Sequence, residues 1–452
     1  MAIGIYDLEG TSHPVVPVEV ERARGKEARR NVPRSALGEF HAVDRDPVAV
    51  LEEQNRTRLP DLINLRRERM SASPFTFYRG SARLMAHDLA QQQVSGQQII
   101  ICGDAHINNF GLYASPERRL HFDLNDFDES APGPWEWDVH RLVTSVVLGA
   151  EELGFSPDTI EHLALQTAQS YRAAIRSISG MSALDGYYLA VDDDMIASRL
   201  RSSSLKAFES AADKARTRTS VQAVSKMTEP DDHGLPTFKS KPPVLTRLEG
   251  LVKSDVRSLF EQYLASVRPD IRLLVDKHRL VDGARRVVGV GSVGTRCYVV
   301  LLLDATASPL ILQIKEAGTS VITEFNQPND STPATLLEDE HNGQRVVEHQ
   351  QILQAVSDPF LGWCSAEGHD FYVRQFRDMK GSVNLDNLSR RTYEEYVTAC
   401  GLLLGRAHAQ SRGVHWIAGY LGKNDTFDKA VTSWAFHYAE QVHRDFNAFT
   451  GK

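Results

Sequence analysis

The sequence predicts an α+β protein of two lobes, a small antiparallel β lobe and a larger helical one. Three observations carry that expectation. Short apolar runs at 99–102 and 120–122 are bounded by turn residues, the mark of buried strands. Strand-like runs return at 286–290, 296–303 and 310–315, with a turn at 304–309. The remainder carries helical spacing, and 452 residues exceed what one simple core holds.

Composition narrows the classes. A net charge of −8 argues against a dedicated nucleic-acid binder, which usually presents a basic face. Cys102, Cys297, Cys364 and Cys400 are scattered, without a C-x-x-C pair or metal-ligand spacing, as in a reduced protein. The start, MAIGIYDLEG, has no basic segment followed by an apolar one, and no apolar run approaches a membrane span. A cytoplasmic protein with no nucleic-acid or membrane partner is expected.

Taken in order, 1–70 reads as an N-terminal arm and helices. Its basic patch at 22–34 is expected to be a solvated arm or one that packs on the body. Helical spacing over 47–70 is broken at Pro60. The segment 71–284 reads as helical around a small strand pair. It opens with SASPFTFYRG, where Arg79 reads either as a phosphate contact or as a residue packed beside Phe77 and Tyr78. Further helices are expected at 160–178, 194–214 and 245–267, with 221–243 a long loop rich in Pro, Asp, Ser and Lys. Residues 285–380 read as the β-rich lobe, and 381–452 as helices completing the helical lobe. His408, on the apolar-striped helix at 393–409, reads as a packed core histidine.

The chemistry concentrates in IIICGDAHINNFGLYASPERRLHFDLNDFDE. Asp104 and Asn109 lie five residues apart, and Asp123, Asp126 and Asp128 follow. Carboxylates this dense repel one another unless a cation or proton neutralises them. One or two carboxylates with an amide suit Mg²⁺, which keeps waters and phosphates as its other ligands. About 160 residues later, Gly289, Gly291, Ser292 and Gly294 lie in a G-x-G-x-x-G followed by a strand rather than a helix. A dinucleotide fingerprint needs the helix, so the pattern reads as a phosphate-covering flap or an ordinary hairpin. Lys315, alone in the run LILQIKEA, must reach solvent or meet an anion.

GDAHINNFG resembles the G-D-x-H-x-x-N catalytic loop of aminoglycoside phosphotransferases and related small-molecule kinases, and NDFDE resembles their metal-binding segment. The resemblance implies Asp104 as the base-like residue, Asn109 and Asp126 as Mg²⁺ ligands and Asp128 as a second contact. Asp138, in WEWDVHRL, matches an Asp that braces the loop. Cys102 stands where that family usually has His. The flap and Lys315 match the kinase phosphate-binding parts, with Glu348 the preferred partner of Lys315 and Glu340 or Glu338 as alternatives. These parts follow the catalytic loop instead of preceding it, which implies a protein-kinase-like fold in circularly permuted order. From about residue 70 to the C-terminus, phrases such as SPFTFYRG, CGDAHINNFG, GPWEWDVHRL and VGVGSVGTR resemble a bacterial family, domain of unknown function 2252.

The expected activity is transfer of a phosphoryl group from ATP, with Mg²⁺, to a small-molecule or protein hydroxyl. Alternatives are AMP transfer from the same site, a metallohydrolase built on Asp104-x-His106, and a non-catalytic nucleotide-binding regulator.

Overall fold

The computed structural model describes residues 16–192, 202–248, 253–287, 289–332, 341–386 and 388–451. The apolar run before the polar loop forms β1 (Gln98–Ile101), buried throughout, and β2 (Phe110–Ala114), β3 (Leu120–Leu124) and β4 (Ala131–Pro134) follow. They make two separate antiparallel ladders, β1 with β4 and β2 with β3, in place of the single pair expected. Ala131-Pro132-Gly133-Pro134 has low β propensity and gives no strand signal. It pairs because β1 needs a partner for its buried backbone.

Where a long loop is expected at 221–243, Thr219 caps a helix, Ser220–Met227, by accepting from Gln222 N at 3.3 Å. Ala223, Val224 and Met227 then pack beneath the larger sheet. The hairpin β5 (Thr228–Pro230) and β6 (Pro236–Phe238) follows. Leu245 opens β7 (Leu245–Arg247) rather than a helix; the helix covers Lys253–Ser266. Leu245, Leu248 and Leu251 imitate helical spacing, but Leu245–Arg247 pairs antiparallel with the next strand.

That strand is β8 (Arg279–Arg286), and β9 (Cys297–Leu303), β10 (Pro309–Ala317), β11 (Gly362–Ala366) and β12 (His369–Gln375) complete an antiparallel sheet in the order β11-β12-β10-β9-β8-β7. The sheet thus begins before residue 285, and of the strand expected at 286–290 only Arg286 belongs to β8, with Val287, Gly289 and Val290 outside any strand and residue 288 outside the described residues. Side chains alternate between its faces. Val300, Leu302 and Leu312 meet the helix Lys253–Ser266 through Tyr263, while Val299, Leu301 and Ile311 meet Ala223 and Phe376.

The helical body is built around Trp135–Glu152, buried from Trp135 to Ala150, with Pro157–Ile178, Arg390–His408 and Thr426–Thr450 in the same core. The basic arm is packed, not solvated: the helix Val18–Ala28 lies so close to Val414–Leu421 that a Cβ on Gly25 would meet Trp416 O at 1.9 Å. Arg29 Nε donates to Tyr420 O at 2.8 Å. Among the described residues, no helix is long and apolar enough to cross a membrane.

Candidate active site

The site starts where β1 ends. Gly103 adopts φ +78°, and a Cβ there would fall 2.1 Å from Glu129 O, so only glycine fits the turn. The Asp138 carboxylate, from the first turn of Trp135–Glu152, accepts Cys102 N at 2.6 Å and Gly103 N at 2.8 Å. His408 Nε2 lies 3.1 Å from the same carboxylate, and its Nδ1 lies 2.9 Å from the Tyr171 hydroxyl. His408 is therefore a core histidine that supports the loop from behind. Cys102, where a histidine is usual in the resembled loop, instead donates its Sγ to Asp126 O at 3.4 Å.

This bracing presents Asp104 asymmetrically. Its Oδ1 accepts both Nε (2.8 Å) and Nη2 (2.7 Å) of Arg141, leaving Oδ2, among the described residues, with only His106 Nε2, at 3.8 Å. The Arg141 guanidinium stacks 3.9 Å above the Tyr78 ring. Burial pushes the Asp104 carboxyl up to about 6, against the pull of Arg141 and with help from Asp126. Asn109 donates Nδ2 to Asp104 O at 3.1 Å and Asp126 O at 2.9 Å. Those bonds fix the amide so that Oδ1 is left buried without a partner. A buried, unpaired amide oxygen is costly unless something supplies a positive charge or a donor.

Lys315 reaches across from β10 and joins two distant stretches of the sequence. Its Nζ lies 3.3 and 3.4 Å from the Asp126 oxygens and in closer contact with Asp128 Oδ2. Tyr372, opposite Lys315 on β12, donates its hydroxyl to Asp128 Oδ1 at 2.9 Å. Desolvation by the cleft walls opposes ionisation of Asp126, but Lys315 and Arg374 overcome it and hold its carboxyl below the usual value. Burial and the Asp126 charge push Asp128 up instead. Burial opposes the charge of Lys315 too, yet the two carboxylates hold its ammonium well above the ordinary lysine value.

Glu348 is not the partner of Lys315. It accepts from Gln344 Nε2 at 2.8 Å, one turn back on the helix Asn342–Leu353, because the Asp pair already satisfies the ammonium. Glu338 and Glu340 lie outside the described residues. The helix reaches the site through Arg345, which donates to Asp128 O at 3.0 Å, Gly318 O at 2.8 Å and Ser130 O.

Gly289, Gly291 and Ser292 line the same cleft as Asp104, Asn109, Asp126 and Asp128, a cavity of about 940 Å³. Gly294, with φ +94°, sits just behind, where its carbonyl accepts from Leu59 N at 2.8 Å. The turn is held from below by Arg69 on Gly289 O and Arg58 on Val293 O, each at 2.6 Å. Arg374 and Lys380 line the Asp126 side. Burial, with Arg374 adding to it, pushes the Lys380 ammonium down to about 7. Among the described residues, no three His, Cys, Asp or Glu side chains converge as a metal cage, so His106 finds no further ligand beside Asp104. Arg141, Arg345, Arg374 and Lys380 escape a reading of the sequence. Only Arg141 leaves a signal, one helical turn from Asp138 and so on the face that meets the loop.

Fold and site together define a mixed α+β protein with a charged cleft lined by both its sheet and its helical body. The family described as an uncharacterized protein conserved in bacteria, DUF2252, matches residues 58–452, and the chain belongs to it. No curated protein and no solved structure matches the chain.

Proposed function

We propose that the chain binds ATP with Mg²⁺ and transfers the terminal phosphoryl group to a hydroxyl, on a two-lobed kinase-like fold of circularly permuted order. One observation carries this reading. A single cleft gathers Asp104, Asn109, Asp126 and Asp128 with a glycine-rich turn, and Lys315, about two hundred residues on, ion-pairs with its aspartates. Phosphoryl transfer asks a protein for positioning and charge neutralisation, which these groups supply.

Asn109 Oδ1 and Asp126 are the residues that would hold Mg²⁺, with Asp128 beside them. The orphaned amide oxygen and the Asp126 side chain, 46% exposed to the cleft, fit a cation that takes its other ligands from water and phosphate. When bound, Mg²⁺ supplies neutralisation of the phosphate charges. Lys315 binds the inner phosphates on leaving the Asp pair, and the flap amides cover them. Asp104 Oδ2, the oxygen that Arg141 leaves open, orients the acceptor hydroxyl and takes its proton as the new O–P bond forms. The bond from the terminal phosphorus to the bridging oxygen breaks, and ADP leaves.

The test incubates the protein and Mg²⁺ with ATP labelled on the γ- or the α-phosphate, against a panel of hydroxyl compounds and the protein itself. Transfer of γ-label that disappears in Asp104→Asn and Asp126→Ala is expected. Transfer of α-label would replace this reading with AMP transfer. Binding of ATP without either transfer, unaltered by Asp104→Asn, would favour a regulator.

A further inference from the structure

At the flap end of the cleft, three guanidinium groups gather with no carboxylate bonded to any of them among the described residues. Arg66 is 2% exposed, yet its acceptors are all neutral: Asn55 Oδ1 at 2.7 Å, Gln54 Oε1 at 2.8 Å and Gly80 O at 2.9 Å. Arg58 donates to Val293 O and keeps its Nε buried and unpaired. Arg79 also keeps a buried, unpaired Nε, and its side chain makes no hydrogen bond or ion pair among the described residues. Three other buried guanidinium groups have carboxylate partners: Arg45 with Asp88 and Asp445, Arg141 with Asp104, Arg172 with Asp428.

Burying like charges together without a directly bonded counter-ion is costly unless a ligand completes the site. The arrangement is also built. Arg66 ties the C-terminal end of the helix Pro47–Asn55 to Gly80, fixing the two segments that lead to Arg58 and carry Arg79. The Arg79 carbonyl packs against the flap, 3.1 Å from where a Cβ on Gly291 would lie. Arg58 and Arg79 both line the cleft that holds Asp104. Burial holds all three guanidinium groups below the ordinary arginine value, and for Arg79 the Asp104 charge is the first influence opposing it.

We infer that this end of the cleft is an anion subsite, in which Arg79 and Arg58 bind a phosphate or carboxylate carried by the acceptor whose hydroxyl faces Asp104. Naming the occupant an acceptor rests on the phosphoryl-transfer reading; the anion subsite stands on the unpaired guanidinium groups alone. Acceptors are then small anionic alcohols, such as sugar phosphates or hydroxy acids, rather than neutral or cationic ones.

The test is thermal unfolding of the full chain, saturated with Mg²⁺ and a non-hydrolysable ATP analogue, as inorganic phosphate is added. The analogue fills the terminal phosphate position, so any further rise reports a second anion site. Wild type is expected to gain about 2 °C at saturating phosphate. That gain is expected to vanish in Arg79→Gln, shrink in Arg58→Gln and return in part in Arg79→Lys, while the shift caused by the analogue persists. No phosphate-dependent gain in wild type, or an undiminished gain in Arg79→Gln, overturns the subsite. Loss of the analogue shift itself in Arg79→Gln assigns that arginine to the nucleotide and overturns the acceptor assignment. An analogue without effect on wild type overturns the phosphoryl-transfer reading instead. Phosphate added alone then decides the subsite by the same comparison of wild type with Arg79→Gln.

Discussion

Single residues in this chain carry charges that the fold has to accommodate, and two of them make direct tests. Glu136 is fully buried, with Oε1 accepting from Ser95 N at 2.8 Å and Oε2 unpaired, and burial pushes its carboxyl up to about 7. The folded chain keeps this proton until about pH 7, whereas the unfolded chain releases it near 4.5. The folded state therefore binds more protons between those values, and stability falls as pH rises through them, by roughly 3 kcal/mol in all. Glu136→Gln is expected to stabilise the protein at pH 8 and to leave it unchanged near pH 4, read by urea unfolding at the two pH values. A gap independent of pH would remove burial of the charge as the cause. Lys315 offers the second test. Lys315→Met leaves Asp126 and Asp128 side by side without their cation. Mg²⁺ alone is then expected to raise the melting temperature of the variant more than that of wild type. An equal response would take the two aspartates out of a metal role. At this scale the sequence was legible where spacing along one loop matters, as for Asp104, Asn109 and Asp126. It was illegible for Glu348, because helical pitch shows which residues share a face but not which distant charge has already claimed the lysine.

At the scale of elements, the central loop is held by a short chain of contacts from three helices. Asp138 receives the two backbone N–H groups of the turn, and His408 and Tyr171 stand behind it. Asp138→Ala would strand two buried donors, at a cost of about 3 kcal/mol or more. A fall of several degrees in melting temperature is expected, measured by circular dichroism. Gly103→Ala places a methyl against Glu129 O in a left-handed backbone conformation, and a loss of about 2 kcal/mol or more is expected by the same measurement. Strands with ordinary apolar runs, Cys297–Leu303 and Pro309–Ala317, were readable in advance. Ala131–Pro134 and Leu245–Arg247 were not, since each owes its strand conformation to the neighbour it pairs with and not to its own side chains. The helix Ser220–Met227 was hidden for a related reason: its flanks are rich in turn residues, and its apolar stripe is recognisable only against the sheet it covers.

For the whole molecule, the proposed activity requires that two stretches far apart in sequence form one nucleotide site. The aspartate-rich loops of 98–134 and the strands from 279 to 375 meet through the ion pairs of Lys315 and the hydrogen bonds of Arg345. The motifs themselves were legible, but their juxtaposition was an inference from motif order, because nothing local in either stretch records the other. The packed N-terminal helix shows the same limit: its charges suggested solvent, and its seat on Val414–Leu421 is a property of the folded chain alone. The most direct measurement is thermal unfolding of wild type and Asp126→Ala, each with and without Mg²⁺ and ATP. A ligand at about 100 times its dissociation constant stabilises the native state by roughly 2.7 kcal/mol, enough for a shift of a few degrees. A Mg²⁺-dependent shift with ATP is expected in wild type and is expected to be lost in Asp126→Ala. No shift in wild type at millimolar ATP, or a full shift in Asp126→Ala, would contradict the proposed nucleotide site.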